Sequence, residues 1–150
     1  MKLVDYLGKD LKSDEMIDLL QAHELEVIYH FDRFHEGAPD EYHITDAAAG
    51  FEMHLGENQK VRTVFCHVIA EGEISAVARE IIGVPVLNSI AEVKSASETM
   101  ECEFSSNEGI AFLGRVLSWA KLTFGARAWH YEFEGGALRK ITLMENWSAP

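Results

Sequence analysis

Two stretches of the chain alternate without a break: Phe51-Glu52-Met53-His54-Leu55 and Trp129-His130-Tyr131-Glu132-Phe133. Successive side chains of an extended chain point to opposite faces, so each stretch sets three apolar groups against two polar ones. Such strands are half-buried. They belong to an antiparallel sheet with one covered face. What surrounds them decides how many more strands join and what covers the sheet.

Around the first stretch the signals run in order. Ser13 precedes Asp14-Glu15 and the apolar Met16, Ile17, Leu19 and Leu20, which reads as a capped helix over about 13–23. Residues 27–34 are rich in β-branched and aromatic types and read as a strand. A turn at 36–40, a short strand Tyr42-His43-Ile44 and a turn at 46–50 follow. Beyond Leu55, Gly56-Glu57-Asn58-Gln59 is a hairpin loop and Val61 to Ile69 an apolar strand. The first half is therefore a helix and an antiparallel meander.

The second half repeats that outline. Ser75 to Ile82 fits one or two helical turns ended by Gly83 and Pro85. Ser89 and Glu92 form a capping box for a second helix. Thr99 to Phe104 alternates as a strand, and 105–109 reads as a loop. Apolar spacing in 110–124 fits helix and strand equally. At the last hairpin, a two-residue Gly135-Gly136 turn pairs Phe133 with Leu138 and His130 with Ile141. A three-residue loop, 135–137, pairs Tyr131 with Ile141, Trp129 with Leu143 and Glu132 with Lys140. A one-residue slip flips every side chain, so the apolar face selects the longer loop. The expected fold is one α+β domain over 1–150, an antiparallel sheet with helices packed on one face. The outline suggests a tandem helix-plus-strands duplication, with no residue-level repeat visible.

At 150 residues the chain buries roughly 70% of its unfolded surface and needs neither disulfide nor metal to stay folded. Two cysteines, Cys66 and Cys102, exclude a disulfide scaffold and fit a reduced compartment. Both fall at apolar strand positions and should be unreactive. The opening residues lack a signal-peptide pattern and no stretch reaches 18 apolar residues, which points to the cytoplasm rather than a membrane. Lys and Arg number 13 against 25 Asp and Glu, a net charge of -12, which argues against a nucleic-acid binder. The asymmetry is internal: 6 basic and 16 acidic side chains in 1–75, 7 and 9 in 76–150.

Two constellations carry chemistry. His30, His43, His54 and His67 share the polar face of the meander and are the metal or acid–base candidates, with Asp32, His35 and Glu36 nearby. Their spacing matches no compact ligand motif, so no metal or cofactor is expected. The other is the acid-rich segment 32–57, holding Asp32, Glu36, Asp40, Glu41, Asp46, Glu52 and Glu57 against the single base Arg33. Its turns should present several carboxylates to a basic partner. No nucleophile elbow, phosphate loop or dinucleotide fingerprint is present.

Two segments carry a family likeness. Ser13 to His67 combines the capped helix, the strand Tyr29-His30-Phe31-Asp32-Arg33-Phe34 and the turn into Gly50-Phe51-Glu52-Met53. Ala128 to Phe133 is closed by Leu138 to Met144. Together they resemble small cytoplasmic immunity proteins of polymorphic or contact-dependent toxin systems. The resemblance implies an acidic α+β protein that binds and blocks a cognate toxin, with no catalysis of its own. The outline is also similar to the helix-plus-sheet repeat of β-lactamase-inhibitory and outer-membrane assembly lipoproteins. The competing expectation is a small enzyme or metal-binding protein using the histidine-rich face.

Overall fold

In the computed structural model, which describes residues 1–30 and 40–145, both helices begin where a serine stands free to cap them. Helix α1 is Asp14–Ala22, and the Ser13 Oγ accepts the Met16 N–H at 3.3 Å. Helix α2 is Ile90–Met100, and the Ser89 Oγ accepts the Glu92 N–H at 3.1 Å. The returning arm of that box lands one residue early: Glu92 accepts the N–H of Asn88. Each helix is stopped by a glutamate in the left-handed region, Glu24 at φ 52° and Glu101 at φ 53°. The next N–H then reaches back five residues, Leu25 to the Leu20 carbonyl and Cys102 to that of Ser97. This closure satisfies carbonyls the helix end would leave unpaired.

Four strands follow each helix. The first set is β1 Val27–His30, β2 Glu41–Asp46, β3 Phe51–Leu55 and β4 Val61–His67. The second is β5 Glu103–Phe112, β6 Arg115–Phe124, β7 Arg127–Glu134 and β8 Ala137–Glu145. All eight join one antiparallel sheet in the order β1-β2-β3-β4-β8-β7-β6-β5. Two meanders thus meet back to back at β4 and β8. There Val64 opposes Leu143 and Cys66 opposes Ile141, all four fully buried.

The two halves are a structural repeat. A single 3-10 turn precedes each helix, at Leu3–Tyr6 and at Arg79–Ile81. The starts of five of the six elements lie 76 residues apart, as 90 minus 14 gives for the two helices. The cap serines, Ser13 and Ser89, keep that spacing. One residue further offset, Glu24-Leu25-Glu26-Val27 matches Glu101-Cys102-Glu103-Phe104. This is a residue-level repeat. It is confined to the positions that start and stop the helices.

The core is one cluster. Met16 and Leu19 of α1 and Val93 of α2 join Ile44, Phe51, Met53, Leu55, Tyr131, Phe133 and the seam residues in it. Of the one or two helical turns expected at 75–82, one forms as the 3-10 turn Arg79–Ile81, and the connection from β4 to α2 buries Val77 and Ile82. It crosses directly over the β2–β3 turn. A Cβ on Gly50, which sits at φ +86°, would lie 2.4 Å from the Ser75 carbonyl oxygen.

Two further expectations are corrected. Residues 99–100 close helix α2, so the strand begins at Glu103. Residues 105–109 belong to β5 and are no loop: Ser105, Ser106 and Asn107 pair with Lys121, Ala120 and Trp119. Their polarity reflects an edge position, since β5 pairs with β6 alone and edge strands are commonly polar. The undecided 110–124 is the rest of β5, a turn at Leu113-Gly114, and β6.

At the last hairpin both readings contribute. Phe133 opposes Leu138 across Gly135-Gly136, as the two-residue turn requires. A bulge at Arg139 then shifts the register, so Glu132 opposes Lys140, Tyr131 opposes Ile141 and Trp129 opposes Leu143. The turn chemistry and the apolar face are both satisfied, at the cost of one extra residue in β8. No helix of the described residues is long and apolar enough to cross a membrane.

Candidate binding surface

The residues that alternate with the core rows form the other set of sheet side chains. In the first half they include His43, Glu52, His54, Thr63 and Phe65; in the second, Trp119, Lys121, His130, Glu132 and Lys140. All of these are half-buried. Their rings form a belt. His30 lies 4.2 Å from His43, His43 stacks on His54 at 3.8 Å and 11°, and His54 meets Phe65 edge-on at 4.8 Å. Lys140 sits over Phe65 at 5.5 Å. On the other side of the seam Trp119 stacks on His130 at 5.3 Å. The stacked pairs His43–His54 and Trp119–His130 are themselves 76 residues apart (119 minus 43). Burial holds the imidazoles of His54 and His130 below the ordinary 6.5, and for His54 the neighbouring His43 adds to it.

The candidate histidines His30, His43, His54 and His67 share one face, as their alternation requires, but they do not converge. Imidazole lone pairs lie in the ring plane, and near-parallel stacked rings aim them side by side rather than at one point. His67 departs from the solvated face expected for it. It is 5% exposed, with Glu52 at 2.8 Å from Nε2 and Glu71 at 3.5 Å from Nδ1. Among the described residues no group of three or more His, Cys, Asp or Glu is placed to hold a metal ion.

The acid-rich segment is divided by the structure. Asp32 and Glu36 lie outside the described residues. Asp46 is 5% exposed and spent inside the chain: it pairs with His23 and accepts the Ala49 N–H at 3.1 Å, which forms the β2–β3 turn. Its place in a turn suggested presentation, but its side chain closes that turn instead. Glu52 is bound to His67. Asp40, Glu41 and Glu57 share one corner of the sheet, because Tyr42 opposes Leu55 and both acids and turn lie just beyond that pair. There Asp40 hydrogen-bonds the Tyr29 hydroxyl and, with the charge of Glu57, raises its pKa. Glu41 pairs with His43 at 3.3 Å and remains half exposed, and Glu57 is exposed.

Ion pairs of residues the sequence did not single out also stand on this face, one of them, Arg139–Glu71, between the halves. Arg139, lifted by its bulge, meets Glu71 at 2.9 Å and Glu132 at 3.5 Å. Arg115 binds Glu134 through two nitrogens, at 2.5 and 2.7 Å. Nothing in the local pattern marks Arg139, since its role depends on a register shift. The cysteines differ. Cys66 is fully buried and burial pushes its thiol up to about 12, whereas Cys102, between α2 and β5, is only half-buried.

The chain matches no family model, no curated protein and no solved structure.

Proposed function

We propose that this chain is an immunity protein that binds a cognate protein toxin, a nuclease with a basic cleft, and blocks it by covering that cleft. The observation that carries the reading is the belt of half-exposed rings across the sheet, bordered at one corner by Asp40, Glu41 and Glu57. Aromatic groups anchor protein interfaces, and acids at a rim steer a basic partner onto them. In this reading both helices pack on the opposite face, and the ring-bearing face is the one offered. The net charge of -12 serves the same end, because a nuclease must be basic where it holds phosphates. The protein acts in the cytoplasm, by occupancy, without cofactor or chemistry of its own.

The test is protection of a host cell that expresses the toxin encoded beside this chain, followed by association kinetics on the purified pair. Replacing Glu41 and Glu57 by glutamine should slow association and flatten its salt dependence, since exposed rim charges act on the on-rate. Absence of protection, or of any complex with that toxin, rejects the reading.

A further inference from the structure

The chain is strongly acidic, yet three of its cations converge on one concavity. Arg62, Lys121 and Arg127 line a cavity of about 290 Å³ together with Thr63 and Thr123. Its floor is a row of residues paired across four strands: Thr63 opposes Met144, Met144 opposes Ala128, and Ala128 opposes Thr123. The single methyl of Ala128 leaves the hollow, and Gly125-Ala126 of the β6–β7 turn keeps one wall low. Arg62 stands out from β4 because the β3–β4 register breaks beside it, with Leu55 opposing Val61 and His54 opposing Thr63.

The charges are not spent. Glu145 is the one carboxylate of the lining, and it lies 3.9 Å from Arg127. Among the described residues the side chains of Arg62 and Lys121 have no ion pair and no hydrogen bond. Two uncompensated cations flanked by two hydroxyl donors, in a hollow this small, match a compact ligand with two negative charges. A polyanion does not fit. It would have to lie along the rest of a surface that carries the -12 net charge, while a small dianion meets only the pocket.

We propose that this pocket binds a small dianion of the phosphate or dicarboxylate type. Arg62 and Lys121 supply charge, and the Thr63 and Thr123 hydroxyls donate to its oxygens. Arg127, partly held by Glu145, closes the third side.

The experiment uses the whole chain and two probes, inorganic phosphate and succinate. Thermal unfolding is followed in each, against sodium chloride at matched ionic strength, and binding is titrated by calorimetry. The wild type should melt higher in at least one probe than in chloride. The double variant Arg62→Gln, Lys121→Gln should lose that rise and bind about tenfold more weakly or worse, the loss expected for charge-assisted hydrogen bonds. A rise with phosphate alone assigns the pocket to phosphoryl groups, and a rise with both assigns it to dianions in general. Equal melting in chloride and both probes overturns the proposal, as does an unchanged rise in the double variant. Lys121→Gln alone, a change on a half-exposed side chain, provides the same readout should the double variant fold poorly.

Discussion

The two halves of the molecule share a backbone plan and little else. Each runs through a 3-10 turn, a serine-capped helix, a left-handed glutamate and four antiparallel strands. The first half builds its meander from strands of four to seven residues, the second from strands of eight to ten. The first carries 16 acidic side chains against 6 basic ones; the second is nearly balanced. Where the first half stacks His43 on His54, the second stacks Trp119 on His130. What the halves have in common in sequence is the set of residues that start and stop the helices. What differs includes the core row as well as the outer face: Arg127, Trp129 and Tyr131 stand where the first half has Phe51, Met53 and Leu55. The repeat therefore fixes a scaffold and leaves two unlike surfaces on it.

The largest effect should come from a residue whose first-half counterpart, Leu55, is a different side chain. Tyr131 occupies the middle of β7, is fully buried, and donates its hydroxyl to the Pro85 carbonyl at 2.8 Å. Leu55, also buried in the third strand of its own half, has no polar group to offer. Tyr131→Ala removes a large ring and strands a carbonyl, so it should cost about 3–5 kcal/mol by denaturant unfolding. Tyr131→Phe isolates the hydrogen bond at about 1 kcal/mol. A midpoint unchanged by Tyr131→Ala would place that ring outside the cooperative core.

A smaller effect tests the part the halves share. Glu24 and Glu101 both stand at positive φ, a conformation that costs a residue with a Cβ about 1 kcal/mol. Glu24→Gly and Glu101→Gly should each stabilise the protein, by about 0.5–1 kcal/mol, because glycine enters that region without the penalty. Equal gains at the two sites would mark them as equivalent stops. A gain at one and a loss at the other would show that one glutamate serves a contact its twin does not.

Much of the scaffold was legible because its signals are local. Ser13 and Ser89 cap helices wherever a helix can follow, and Phe51 to Leu55 alternates whatever lies beside it. Errors arose where a residue's role depends on a distant partner. Ser105 to Asn107 looked like a loop because nothing local says that β6 pairs with only one of their edges. The Arg139 bulge was invisible because two incompatible registers each had good support, and only the folded hairpin uses both. The binding surface is less legible, because its residues depend on distant partners. Asp46 looked presented by its turn, but its carboxylate closes that turn and pairs with His23, 23 residues earlier. The charge asymmetry and the shared histidine face were legible, whereas the basic pocket draws its residues from four separate strands and has no sequence motif.

The smallest expected effect separates the two stacked pairs by pH. His54 and His130 lie in equivalent strands, and in both burial is the leading reason the imidazole is held below 6.5. The folded state then binds a proton less readily than the unfolded chain. Stability from this source is fully present above about 6.5, where both states are neutral, and is lost as pH falls through the lower, folded values. The neighbours differ, however. His54 faces His43 and His30, whose charges oppose its protonation, and Glu41 and Glu52, which favour it. His130 faces Lys121 and Lys140 against Glu132 alone. Unfolding midpoints measured from pH 7.5 to 5.5 should therefore decline below about 6.5 in the wild type. His54→Gln and His130→Gln should each make that decline shallower, because each removes one proton-linked group. The residual slope in His130→Gln should keep the mutual repulsion of the first-half histidines, so its decline should respond to a further His43→Gln change. The same His43→Gln change in the His54→Gln background should do little, since the ring it repels is already gone. Declines identical to wild type in both single variants would show that the stacked pairs do not couple protonation to folding.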